Sequence, residues 1–220
     1  MYVGLDMPGM TPLLINLKGR RIVIVGGGKV GERKARFFRD ASVTVISPEF
    51  TPGLEQMGAG GEVRLERRKV NRHMLDGIFD NVFLVVAATS DSCLNEEICE
   101  FCRERGILAN GATGHTDVIV PAVIERDSVL VAISTVGRSP AMARYLRGKL
   151  EAALTSEDLA MVRLQDTLRT KLMSLVAGQP DRDRLLSLVL EDCRVRDALK
   201  RSDAEALEIA MQVIVVHRET

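Results

Sequence analysis

Residues 21–31 read RIVIVGGGKVG: an apolar run of strand character enters a glycine-rich turn, and a helical pattern follows over 32–40. No other segment constrains the fold as strongly. A run of Ile and Val bounded by glycines reads as a strand buried on both faces, which is what a parallel sheet covered by helices requires. Gly26, Gly28 and Gly31 satisfy G-x-G-x-x-G. In that spacing the first glycine permits a tight turn, the second lets the backbone approach a pyrophosphate, and the third lets the helix pack closely on the strand. The helix N-terminus then offers unpaired N–H groups and the positive end of its dipole to the phosphates. Gly26, Gly28, Lys29, Val30 and Gly31 are therefore the expected pyrophosphate cradle of a dinucleotide site. The competing reading is a tight turn with a structural role only.

The first half alternates in the βα manner. Strands are expected at 21–26, 42–47, 62–67 and 82–89, with a short one near 107–110. The third, EVRLERR, alternates polar and apolar residues and reads as an edge strand. Segment 91–105 is the clearest helix: Ser90 or Asp91 caps it, Leu94, Ile98, Phe101 and Cys102 mark one face, and Gly106 ends it. The fold class expected is α/β with a Rossmann-like parallel sheet. In such sheets an acidic residue at the end of the second strand holds the ribose 2′-hydroxyl. Here Ser47 and Pro48 stand there, with Glu49 just beyond and no arginine in that stretch to attract a 2′-phosphate. NAD is favoured over NADP, with Ser47 and Pro48 beside the adenosine ribose. Ala88, Thr89 and Asp91, at the end of the fourth strand, are expected to line the adenine or nicotinamide side; Thr89 and Asp91 also read as helix caps.

The pattern changes near Asp117. VIVPAVIE and SVLVAIST suggest an antiparallel pair joined by Arg126-Asp127, and Pro121 points to an edge or a bulge. Ser139-Pro140 then opens a helix, with Ser139 as N-cap and Pro140 in its first turn. Residues 156–220 read as helical, broken at Gly178-Gln179-Pro180 and restarting at Ser202-Asp203, and Ser156 to Leu159 completes no capping box. The expected division is a Rossmann domain over 1–114, a dimerisation and substrate-pocket module over 115–155, and a helical domain over 156–220.

Basic and acidic residues balance at 30 each, so no charge excess points to nucleic acid or an anionic membrane. The apolar runs are too short to span a bilayer, and MYVGLDMPGMTPLL lacks a basic n-region, so a cytoplasmic location is expected. Cys93, Cys99, Cys102 and Cys193 form no disulfide framework. Cys99 and Cys102 fall in mid-helix, where no helix terminus lowers a thiol pKa, and no second pair completes a zinc site. No metal site is expected.

Several ordered signatures now combine: Pro12 to Leu17 ahead of the first strand, VGGGKVGERKAR (Val25 to Arg36), AATSD (Ala87 to Asp91), Asn110 at the end of strand five, and VIVPAVIERDSVLVAISTVGRSPAMARYLR (Val118 to Arg147). In this order they resemble the bifunctional precorrin-2 dehydrogenase/sirohydrochlorin ferrochelatase family, the N-terminal part of siroheme synthase. The resemblance spans residues 12–150; beyond it only the helical character agrees. It implies NAD-dependent oxidation of precorrin-2 to sirohydrochlorin, a tetrapyrrole substrate, a homodimer, and in bifunctional members insertion of Fe2+ to give siroheme. The implied tetrapyrrole pocket comprises Asn110, Ser134, Thr135, Gly137, Arg138 and Ser139, with Arg138 suited by charge and geometry to a substrate carboxylate.

One departure bears on the chemistry. The family's catalytic Asp lies three residues after the strand-five Asn, and Thr113 occupies that position here. A threonine hydroxyl is neutral near pH 7 and does not serve as that base unaided. His115 and Asp117 lie in the same loop and are the substitutes; an unperturbed imidazole titrates at about 6.5. The catalytic candidates are thus Thr113, His115 and Asp117, and the departure weighs more on iron insertion than on oxidation. The main alternative is a regulatory NAD-sensing Rossmann module without catalysis.

Overall fold

The computed structural model describes residues 9–111 and 116–218. The chain divides into two compact units, Met1–Val120 and Pro121–Thr220. The first holds five parallel strands: β1 (Arg21–Val25), β2 (Ser42–Ser47), β3 (Arg64–Arg67), β4 (Leu84–Ala87) and β5 (Leu108–Gly111). Their order is β3-β2-β1-β4-β5. Helices α1 (Lys29–Phe37), α2 (Pro52–Ala59), α3 (Leu75–Ile78) and α4 (Ser92–Glu104) connect them.

The strand sequences explain the layering. Successive side chains of a strand point to opposite faces, so an uninterrupted apolar run serves two cores at once. Val23 and Val25 of β1 join Val85 and Ala87 of β4 in a core with Leu75, Ile78 and Ile98. Ile22 and Ile24 join Val43, Val45, Leu84 and Val86 on the other face, against Ala35, Phe38 and Leu54. Each such burial contributes about 1.5–3 kcal/mol relative to exposure. The alternating β3 pairs with β2 alone and forms one edge.

β5 forms the other edge, and residues 116–118 lie along it. The N–H groups of Asp117 and Val118 both donate to Ala109 O, at 2.9 and 3.1 Å. The Asp117 carboxylate accepts from Ala109 N at 3.0 Å.

The second unit opens with the hairpin β6 (Ala122–Arg126) and β7 (Val129–Ile133), with Arg126 opposite Val129. Its two-residue turn places Asp127 at φ 53. Pro121 lies just before β6, where it removes no ladder hydrogen bond. Five helices follow: α5 (Pro140–Ala153), α6 (Ser156–Leu175), α7 (Gln179–Glu191), α8 (Cys193–Leu199) and α9 (Asp203–Arg218). The last four share a core around Leu168, Leu172, Leu185, Val189 and Ile214. At the start of α6, Ser156 and Leu159 form no capping box, as expected, because the N-cap is Thr155. A capping box is present one residue earlier, with Thr155 Oγ1 accepting from Asp158 N and the Asp158 carboxylate accepting from Thr155 N. The bonds it accepts from Thr155 N and Thr155 Oγ1 hold the Asp158 carboxyl below its ordinary pKa.

Candidate functional site

From β1 the chain builds outward to β2 and β3 on one side, then returns to add β4 and β5 on the other. At such a reversal the loops leaving the two central strands diverge and open a crevice at their carboxyl ends, where ligands of this sheet type bind. The glycine turn follows β1 and Ala88 to Asp91 follows β4, so the sequence motifs meet at this reversal. Gly26 N donates to Ile46 O at 2.9 Å and Ala88 N donates to Val25 O at 2.8 Å.

The glycines divide by what surrounds them. Gly26 adopts φ +124, and a Cβ there would lie 2.2 Å from Ala88 O. A Cβ on Gly31 would lie 2.0 Å from Gly26 O, and one on Gly27 would lie 2.1 Å from Glu49 O. These three are required by the protein's own packing; Gly27, outside the motif spacing, was not singled out by the sequence. Gly28 is different: a Cβ there meets nothing within 4 Å. It is the N-cap of α1, and no side chain caps it. The open space and the free first-turn N–H groups fit a pyrophosphate, with Lys29 and Val30 exposed beside it.

The end of β2 brings a correction. No arginine stands beside Ser47 and Pro48 at the end of that strand, yet the register pairs Ser47 with Arg67 of β3. Arg67 Nη1 donates to Pro48 O at 3.3 Å, and its guanidinium lies 5.0 Å from the Phe50 ring centre. A parallel neighbour thus supplies the cation that β2 lacks. Ser47 is buried and Pro48 exposed.

Beyond β4, Thr89 and Asp91 are part of a local network. Asp91 is the N-cap of α4, its carboxylate accepting from Leu94 N at 3.1 Å. Thr89 Oγ1 lies 2.8 Å from Asn95 Oδ1 and accepts from Asp91 N at 3.1 Å. Asn95 accepts from Thr89 N and donates to Thr89 O, both at 3.0 Å. Asn95 is buried and ties the loop to α4; the sequence reading missed it, and its one signal is its place a helical turn after the cap.

Asn110 is buried at the end of β5 and donates to Val118 O at 2.6 Å. Asp117 stands in the same cluster, its carboxylate turned to Ala109 N. Thr113 and His115 lie outside the described residues.

In the second unit, Ser134, Thr135, Gly137, Arg138 and Ser139 come together in the turn between β7 and α5. Arg138 N donates to Thr135 O at 3.0 Å. Thr135 Oγ1 donates to Ser139 O and accepts from Ser139 N, both at 3.0 Å. Ser139 caps α5, accepting from Met142 N at 3.2 Å. Val136 and Gly137 are both left-handed, at φ 51 and 77. Arg138 is exposed.

Burial shifts three titratable groups in the first unit. Burial, reinforced by the charge of Arg33, pushes the Lys34 amine on α1 down to about 8. Burial, with the neighbouring Cys99 and Asp117, pushes the Cys102 thiol up to about 12, and Cys99 is raised by the same cause. Neither thiol is disposed to ionise near neutral pH, in line with a packing role.

A family model for NAD(P)-binding matches residues 13–122. The chain is 40% identical over 207 residues to the precorrin-2 dehydrogenase of Methanosarcina barkeri, covering 92% of each. It is 36% identical over 175 residues to the siroheme synthase of Photorhabdus laumondii, covering 78% of this chain and 36% of that one. The chain therefore spans about a third of that synthase. The solved structure of SirC, a precorrin-2 dehydrogenase, matches with a TM-score of 0.74 and 25% identity, covering 92% of this chain and 100% of that one.

Proposed function

The chain belongs to the precorrin-2 dehydrogenase/siroheme synthase family, and from that premise we propose that it oxidises precorrin-2 to sirohydrochlorin with NAD. The observation that carries this reading is the extent of the likeness: it runs over 92% of both this chain and the Methanosarcina barkeri enzyme, well past the NAD(P)-binding region. A sensing module built on the dinucleotide fold alone gives no reason for that.

NAD supplies the hydride acceptor when bound. Gly28, Lys29, Val30 and Gly31 offer backbone N–H groups to its pyrophosphate, Gly26 forms the turn beneath it with its own N–H held by Ile46 O, and Gly28 provides the clearance. Ser47 and Pro48 lie on the ribose side. Ala88 lines the nicotinamide side, while Thr89 and Asp91 keep that loop's shape through Asn95. In the second unit, Arg138 at the mouth of α5 pairs with a macrocycle carboxylate, and Ser134, Thr135, Gly137 and Ser139 shape the turn that carries it. Asn110 belongs to the substrate side in the first unit.

His115 is the proposed proton acceptor. Thr113 carries no carboxylate, and the Asp117 carboxylate is engaged with Ala109 N. Oxidation is the principal reaction in this reading, and insertion of Fe2+ the second, dependent on the same loop. We place the protein in the cytoplasm as a homodimer built through β6, β7 and α5. Exposed Leu130, Met142, Tyr145 and Leu150 on those elements support that face.

The test is an anaerobic absorbance assay with enzymatically generated precorrin-2. NAD-dependent appearance of the sirohydrochlorin spectrum supports the dehydrogenase, and metal uptake above the no-enzyme rate supports the chelatase. NAD binding without oxidation would replace both with the sensing module.

A further inference from the structure

Resting on the dinucleotide reading above, we propose that the ribose end of this site accepts a 2′-phosphate, with Arg67 as the residue that binds it, so that NADP binds comparably to NAD. A carboxylate at the end of β2 would repel the phosphate, and none stands at Ser47 or Pro48. The cation comes from the neighbouring strand. Arg67 is in register with Ser47, donates to Pro48 O at 3.3 Å and lies over the Phe50 ring at 5.0 Å. These contacts hold the guanidinium against the segment where the ribose is expected. The next residue reinforces the position, since Arg68 N donates to Ser47 O at 3.1 Å.

Arg67 also pairs with Glu55, but the two side chains are 57% and 48% exposed. An exposed pair is weak and exchanges readily. A phosphate offers the planar guanidinium a bidentate and more highly charged partner. Arg68 is not the candidate, because its guanidinium faces Glu66 at 2.7 Å. Exposed Glu49 is the counterweight: its charge opposes the phosphate and keeps NAD competitive.

The chain has no tryptophan, so calorimetric titration of the full chain with NAD and with NADP is the direct test. The dissociation constants are expected within about tenfold of each other. Arg67→Gln is expected to raise the NADP-to-NAD ratio of dissociation constants by at least about tenfold, that is about 1.4 kcal/mol, and Arg67→Lys by less. Arg64→Gln removes the same charge elsewhere on β3 and is expected to leave the ratio in place. NADP more than tenfold weaker than NAD in the parent chain overturns the proposal, as does a smaller response to Arg67→Gln or an equal one to Arg64→Gln. Those outcomes leave the NAD site standing, whereas failure of both nucleotides to bind removes the dinucleotide reading itself.

Discussion

The two turns that carry a strand into a helix, one in each unit, are held in different ways. After β1 the backbone closes in on itself, and glycine is required at Gly26, Gly27 and Gly31 because a Cβ would strike a carbonyl oxygen within 2.2 Å. After β7 there is no such crowding: a Cβ on Gly137 meets nothing within 4 Å. That turn is shaped instead by the reciprocal bonds of Thr135 and Ser139. They carry Val136 into the left-handed region along with Gly137, at a cost of about 1–2 kcal/mol for a residue with a Cβ. One turn is fixed by exclusion, the other by hydrogen bonds that outweigh a strained residue. Among the four glycines of the first turn Gly28 alone faces open space, and that is the mark of a place kept for something else.

Gly26→Ala should break the comparison most severely. The new methyl meets backbone at a left-handed position, and the expected loss is about 3–5 kcal/mol, read as a fall in thermal midpoint of roughly 10 °C. A change below about 1 kcal/mol would refute the exclusion account.

The helices launched by the turns differ as well. α5 buries only Ala143, whereas α1 packs Gly31 and Ala35 inward and half-buries Lys34. Because burial lowers the Lys34 pKa, the unfolded chain binds that proton more tightly. The penalty is full below pH 8 and fades as pH rises from about 8 toward the ordinary lysine value of about 10.4. Lys34→Met is expected to stabilise the fold by on the order of 2 kcal/mol at pH 7. The gain should vanish near pH 10, so unfolding curves of both proteins across that range test it. A pH-independent gain would assign the effect to packing alone.

Gly28→Ala sharpens the contrast between neighbouring glycines. Its φ of −80 suits alanine, so stability should stay within about 1 kcal/mol. The NAD dissociation constant should rise at least about tenfold, or about 1.4 kcal/mol. Equal NAD binding by the variant would mean that the clearance has no ligand. The smallest effect is expected at Val136→Asn, since asparagine tolerates the left-handed region: a gain of about 1 kcal/mol, or about 2–4 °C. Val136→Ala, which keeps a Cβ, should show little of it.

The parallel sheet was legible because its signal is local. Ile22 to Val25 and Leu84 to Ala87 are apolar at every position, and Val43 to Ile46 at all but Thr44, a pattern that only a strand covered on both faces uses fully. The hairpin and the helix at Ser139 were legible for the same reason. What escaped depended on neighbours distant in sequence or on conformation. Arg67 lies twenty residues from Ser47 and reaches it only through strand register. Asn95 acquires its role once the loop folds back on α4. The strain at Val136 has no compositional signature, since valine is ordinary in a strand end and unusual only at positive φ.

The strap of residues 116–118 has a consequence for the behaviour of the protein at high concentration. An open sheet presents unpaired N–H and C=O groups at both edges, and such rows recruit strands from other molecules into aggregates. β3 guards its edge with charge, carrying Arg64, Glu66 and Arg67. β5 carries none, reading LANG, and depends on Asp117 and Val118 occupying Ala109. Asp117 therefore keeps the sheet from growing: it holds closed the edge that has no charge to protect it, independently of any part it plays in catalysis.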